Sequence, residues 1–214
     1  IRVDLVDMRS HKYDMLGGLR SSAEMISYEL SLGLGFVMAI LLANSMNLTD
    51  IVNAQKDVWF FAVQPVGALL FMIVTLAEVN RAPFDMPEAE QELTAGFHSE
   101  YSGMKFALFF MAEYQKMIVV CMIAATLFFG GYREFPFLKD TFFSVDRNWL
   151  LGPIYMLLKV VVLLFFMIWV RATFPRIRYD RLMSFGWKIM LPLSLTLVAI
   201  TATGIVFSDY WKSN

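Results

Sequence analysis

Five ionisable side chains fall inside stretches that are otherwise apolar: Glu29, Glu78, Glu113, Lys116 and Lys159, with Glu24 nearer the edge of its stretch. A charge at the middle of a bilayer costs about 2.5–3.5 kcal/mol on insertion scales. A sequence keeps such a group when it pairs, lines water or moves protons. Glu113 and Lys116 are three residues apart, so on a helix they share a face and an internal pair is expected. A buried pair that does no more than lock helix packing accounts for that spacing equally well.

The stretch from 78 to 100 concentrates acids: Glu78, Asp85, Glu88, Glu90, Glu92 and Glu100, opposed by Arg81 and His98. Glu88 and Glu92 are four apart and would repel on one helix face. Carboxylates crowded in a low dielectric do not all ionise, which is the requirement for passing protons near neutral pH. A solvated acidic loop is the plain alternative. Against it, the segment is also apolar, with Phe84, Met86, Leu93 and Phe97, and Pro83 and Pro87 divide it into short elements. It is expected to fold back against its neighbours. A second cluster, RATFPRIRYDR at 171–181, is basic. It suits a membrane-surface anchor, with Arg171 snorkelling, or a docking surface for a soluble partner built on Arg171, Arg176 and Arg178, with Asp180 as counter-charge.

Five apolar runs, near 21–44, 58–79, 105–132, 150–170 and 189–207, are long enough to cross about 30 Å of hydrocarbon. They lack the alternation of barrel strands. Helices satisfy their own backbone in lipid, so the expected fold is all-α: a polytopic membrane protein with five transmembrane helices in a single integral membrane domain over 1–214. Eleven of the Lys and Arg residues outside the spans fall on one side and five on the other. The richer side is read as cytoplasmic. It carries a lead-in at 1–20, the acidic loop at 80–104 and the basic loop at 171–188, while 131–149 lies on the other side. Trp59, Trp149, Trp169, Trp187 and Trp211 stand near span ends, as interface anchors do. Within 135–149, aromatics mix with charges, which fits either an interfacial helix or an ordinary loop.

Composition supports this. Hydrophobic residues make up 58% and charged residues 17%, against about 45–50% and about 25% in soluble domains. A net charge of −1 gives no sign of nucleic-acid binding. One cysteine, Cys121, set in an apolar run, makes no internal disulfide or cluster site and reads as a buried, inert thiol. The two histidines, His11 and His98, lie outside the spans, so haem held between helices is excluded in practice. Redox chemistry would need a cofactor on another chain, and no metal site is expected here. The chain begins with Ile and shows no signal-peptide pattern, which suggests sequence upstream.

The run AEVNRAPFDMPEAEQELTAGFHSEYSGMKFALFFMAEY at 77–114 resembles, with high specificity, the NuoH-type membrane-subunit family of proton-pumping NADH:quinone oxidoreductases. This is respiratory complex I, whose mitochondrial counterpart is NADH dehydrogenase subunit 1. GGLRSSAEMISYEL at 17–30, the Lys159 span and RATFPRIRYDRLM at 171–183 are similar too, and the likeness covers about 10–208. Residues 1–9 do not fit the family pattern.

The resemblance implies the last five helices of a subunit of eight. It implies a chain that helps form a quinone chamber and couples quinone reduction to proton translocation. It implies no cofactor held by this chain: quinone is the substrate, and NADH, FMN and iron–sulfur clusters belong to partner subunits. Those partners are the hydrophilic-arm quinone-reductase subunits, small membrane-arm subunits and membrane lipids. The place implied is a bacterial inner (plasma) membrane, or the mitochondrial inner membrane. The coupling acids carried over by motif are Glu29, Glu78, Asp85, Glu88, Glu90, Glu92, Glu100 and Glu113. Arg81, Phe84 and Phe97 would line the quinone chamber, and Arg171, Arg176, Arg178 and Asp180 would face the hydrophilic arm.

Other readings make different demands. The homologous subunit of a membrane-bound hydrogenase would have a nickel enzyme beside it, and the EYSGMKFALFF run favours the quinone enzyme. A relative in a photosynthetic ferredoxin-dependent complex is disfavoured by the same run. A secondary transporter should show inverted repeats, and none is visible in the sequence. A passive anchor would tolerate loss of the buried acids in turnover but not in assembly.

Overall fold

The computed structural model describes residues 12–79, 84, 103–135, 150–175 and 177–213, with side chains described from Ile26 onward except those of Tyr179, Ser208, Asp209, Lys212 and Ser213. Its first helix, α1 (Lys12–Ala43), begins well before the apolar run proper. It stops where Asn44 adopts a positive φ of 52°, a conformation that asparagine tolerates and that ends helices. Asn47 then caps α2 (Leu48–Ala54) by accepting from the Thr49 N–H at 3.3 Å.

The apolar run at 58–79 is not one helix. It forms a single turn, α3 (Phe60–Val63), then breaks at Gln64 and resumes as α4 (Pro65–Glu78). Pro65 disfavours helical backbone at the residue before it and suits the first position of a new helix. Periodicity alone would not reveal the break, because the residues around it stay apolar. At 1.5 Å per residue, α3 and α4 together still reach about 28 Å.

The remaining helices are α5 (Met104–Phe128), α6 (Leu151–Thr173), α7 (Tyr179–Phe185) and α8 (Leu191–Ser213). A π-helical turn at Gly186–Met190 joins the last two. There are no strands among the described residues. Among the described residues, four helices are long and apolar enough to cross a membrane, and Pro65–Glu78 is a shorter apolar fifth. The chain is therefore an all-α polytopic membrane protein, as its apolar runs indicate.

The core lies where α1, α4 and α5 meet. Phe71 sits edge-on to Phe36 at 5.5 Å and tilted against Phe128 at 5.2 Å. Met38, Ala39, Leu70, Val74, Ala124 and Ala125 fill the space between. Small residues let membrane helices approach where lipid removes the hydrophobic drive for association. Gly35 shows how close the approach is, since a Cβ there would lie 2.6 Å from the Phe71 ring. Cys121 is buried as expected, its sulfur 3.5 Å from that of Met167 on α6. The opposite face of α6, with Leu157, Val161, Phe165 and Trp169, is exposed, as a lipid-facing surface would be.

Candidate functional site

Glu78 is the last residue of α4 and Lys116 lies midway along α5. The structure pairs these two: Lys116 Nζ is 3.0 Å from Glu78 Oε1 and also donates to the Glu78 main-chain carbonyl. Lys116 thus holds the carboxylate and one of the carbonyls that a helix leaves unsatisfied at its C-terminus. The other carboxylate oxygen, Oε2, is buried without a hydrogen-bond partner among the described residues. The pairing expected from spacing, Glu113 with Lys116 on one helix face, gives way here to a pair between helices. An i,i+3 pair gains little, whereas the contact with Glu78 satisfies two acceptors at a helix end. Glu113 lies half-buried one turn before Lys116.

Glu29 sits on α1 and lines an open, mostly apolar cleft of about 670 Å³ with Ile26, Leu30, Gly33, Leu34, Leu191 and Leu195. Its neighbours in sequence fix α1 against the α7–α8 junction. Tyr28 is fully buried and its hydroxyl donates to the Leu182 carbonyl at 3.0 Å. Trp187 donates its indole N–H to Ser27 Oγ at 3.0 Å. The π turn passes closely, since a Cβ on Gly186 would meet the Tyr28 ring at 3.4 Å. Phe84, expected in the quinone chamber, is buried with its ring edge-on to Tyr28 at 5.8 Å. The structure therefore brings a residue of the acidic loop against the helix that bears Glu29.

In the basic segment, Arg178 Nε pairs with Asp180 Oδ2 at 3.2 Å, both side chains being exposed. Such a pair contributes little to stability and leaves the surface open. Arg171 is exposed in the last turn of α6, where a cation complements the helix dipole. Arg81, Asp85, Glu88, Glu90, Glu92, Phe97 and Glu100 lie outside the described residues, as do the side chain of Arg176 and the segment 136–149.

Sequence reasoning missed Tyr28, Gln55 and Gln64. Gln64 is nearly buried at the α3–α4 break, with Nε2 3.2 Å from the Met38 sulfur and Oε1 unpartnered among the described residues. An uncharged amide in an apolar run is a weak signal, and nothing in the spacing of these three residues marked them.

Comparison with known proteins decides the lineage. Residues 8–202 match the family model described as NADH dehydrogenase. The chain belongs to the NADH dehydrogenase family. Among curated relatives it is 50% identical over 199 residues to the NADH-quinone oxidoreductase H subunit of Rhodospirillum centenum, covering 93% of this chain and 57% of the relative. It is 48% identical over 193 residues to the NADH-quinone oxidoreductase H subunit of Anoxybacillus flavithermus, covering 90% and 55%. It is 48% identical over 204 residues to NADH-quinone oxidoreductase subunit 8 of Rhodothermus marinus, covering 91% and 60%. The chain thus spans little more than half the length of the relatives it matches. Glu78, Tyr28 and Phe84 all fall in the stretches that carried the resemblance, and Lys116 follows two residues after the longest of them.

Proposed function

We propose that this chain is part of the membrane subunit of an NADH:quinone oxidoreductase, a proton-translocating enzyme complex of a bacterial plasma membrane. In this reading the chain helps form the quinone chamber and couples quinone reduction to proton translocation through its carboxylates. NADH, FMN and iron–sulfur centres sit on partner subunits, and the basic surface around Arg171, Arg178 and Asp180 faces the hydrophilic arm. Names of relatives at about half identity support the assignment to this complex. The observation that carries the coupling role is the pair between Glu78 and Lys116.

The chemistry follows from that pair. A carboxylate with one oxygen on an ammonium and the other without a hydrogen-bond partner among the described residues can take up a proton at that second oxygen. Protonation removes the charge that holds Lys116, which then keeps only the main-chain carbonyl. Lys116 lies on α5, one turn from Glu113, so a proton arriving at Glu78 shifts the field at Glu113. Glu29 reaches the same acidic loop through Tyr28 and Phe84. Charge or shape changes in the loop, including Asp85, Glu88, Glu90, Glu92 and Glu100, are thereby passed to acids inside the bundle. Arg81 and Phe97 belong to the quinone side of that loop.

The test is Glu78→Ala and Glu113→Ala in the assembled complex. Coupled loss of quinone reductase and pumping, with normal subunit content, is the expected result. Normal coupled turnover in an assembled variant removes that residue from the relay.

A further inference from the structure

The second span is broken inside the hydrocarbon. Gln64 stands between α3 and α4 with φ −135° and ψ 71°. It lies about 21 Å along α4 from Glu78, at 1.5 Å per residue, and so short of the far edge of a layer about 30 Å thick. A break orphans main-chain groups on both of its sides. Pro65 has no N–H to offer the Phe61 carbonyl, and the bend at Gln64 takes the next N–H groups away from Ala62 and Val63. On the other side, the N–H groups of Val66 and Gly67 precede the first bond of α4, which runs from the Ala68 N–H to the Gln64 carbonyl at 3.1 Å. The Gln64 side chain is 7% exposed and folds over this same turn, since a Cβ on Gly67 would lie 2.9 Å from its amide carbon. It caps no N–H there. Its Oε1 is buried with no hydrogen-bond partner among the described residues.

The end of α5 is closed differently, from within the chain. Lys159 donates to the carbonyls of Phe129, Gly131 and Arg133 at 2.7, 3.0 and 2.7 Å. Gln55 Nε2 bonds the carbonyls of Thr126 and Leu127 at 3.0 and 3.1 Å. No side chain among the described residues does this at the break. The surface is also open there and nowhere else on α4. Phe61, Val63, Val66 and Leu69 are exposed, whereas none of the residues at 70–78 is.

Irregular backbone at membrane depth persists only where protein buries it or a water-filled cavity adjoins it, because lipid satisfies none of its polar groups. The rim of Phe61, Val63, Val66 and Leu69 is apolar, which suits a protein cover and not the wall of a water-filled cavity. The orphaned groups select the chemistry of that cover. Three carbonyls and the Gln64 oxygen ask for donors, and two N–H groups ask for acceptors. An ammonium or guanidinium has donors only and would meet the positive end of α4. A carboxylate has acceptors only. A primary amide or a hydroxyl carries both.

We propose that the α3–α4 break is a docking site for a transmembrane helix of a partner subunit, which inserts a neutral amide or hydroxyl side chain (Asn, Gln, Ser or Thr) beside Gln64. This rests on the chain being one subunit of a membrane complex, and not on the quinone chemistry or the carboxylate relay.

The experiment places the photo-cross-linker p-benzoylphenylalanine at Val66 in the assembled complex, illuminates it in its own membrane and maps the adduct by mass spectrometry. The adduct should join a transmembrane segment of another subunit, within one turn of an Asn, Gln, Ser or Thr. An adduct with lipid alone, with this same chain, or with a helix that has no such side chain within a turn overturns the proposal. Where the probe at Val66 prevents assembly, Leu69 on the next turn carries the same probe and the same outcomes. Val66→Trp supplies a second readout. It should lower retention of the cross-linked subunit on a native gel about tenfold, the effect of about 1.4 kcal/mol lost at an interface, while Val66→Ala keeps it. Full retention in the Val66→Trp complex overturns the docking. An adduct of the expected kind in an assembly that lacks NADH-driven quinone reductase upholds the docking and counts against the enzyme assignment above.

Discussion

Replacing Lys116 by Met tests how strongly the cross-helix pair holds α4 to α5. At the 3.0 Å separation from Glu78, the gross attraction is about 5–6 kcal/mol at an effective dielectric of about 20. That is not the net contribution. The Lys116 side chain is 37% exposed and that of Glu78 18%, so solvent screening and the entropy of the lysine chain offset most of it. Exposed pairs contribute about 0.2–1 kcal/mol, and breaking a fully buried pair costs about 3–5 kcal/mol. The position between those limits gives about 1–2 kcal/mol here. The assay is the rate of thermal inactivation of the purified complex, read as loss of assembled complex on a native gel and compared for Lys116→Met, Glu78→Gln and the double variant. Each single change should speed inactivation about tenfold, as about 1.4 kcal/mol implies. The double variant should be no faster than the worse single one, because the second change removes a partner already idle. Strictly additive effects in the double variant would refute the pair as the coupling element.

Three further changes test the surrounding structure. Tyr28→Phe removes one buried hydrogen bond, to the Leu182 carbonyl, and should cost about 1–2 kcal/mol, read as faster thermal inactivation; unchanged inactivation would deny that bond its part in holding α1 to α7. Gly130→Ala places a side chain at a φ of +74° and 2.8 Å from the Trp59 indole nitrogen, costing about 1–2 kcal/mol from the backbone alone. Assembly yield should fall, while Gly204→Ala, with open space around it, should leave it unchanged; equal yields would contradict the packing of Trp59 on the Lys159 turn. Arg178→Ala removes an exposed pair and should leave stability within about 0.5 kcal/mol of the original, so a loss of hydrophilic-arm retention on size exclusion without a stability change would mark docking, and intact retention would argue against it.

The all-α membrane fold was legible because lipid forces a simple code: long apolar runs become helices, and there are few alternatives. The break at Gln64 was less legible, since only Pro65 marks it and both sides remain apolar. The acids Glu29, Glu78 and Glu113 stood out because charge in apolar surroundings is costly. Their partners did not stand out, because spacing reports neighbours on one helix and Lys116 chose a residue 38 positions away in the chain. Tyr28 read as an ordinary aromatic until Leu182, 154 positions further along, proved to be its acceptor. Lys159 was conspicuous as a charge, but its task depends on the left-handed glycines Gly130 and Gly131, which turn the chain so that three carbonyls converge on one ammonium.

The most direct test of coupling measures the rate of NADH-driven quinone reduction and the rate of proton pumping side by side for the Glu78→Gln complex in proteoliposomes, with subunit content confirmed by gel. The account expects quinone reduction and proton uptake to fall together while the amount of assembled complex stays normal. A variant that reduces quinone and pumps protons at the original rate and ratio would contradict it.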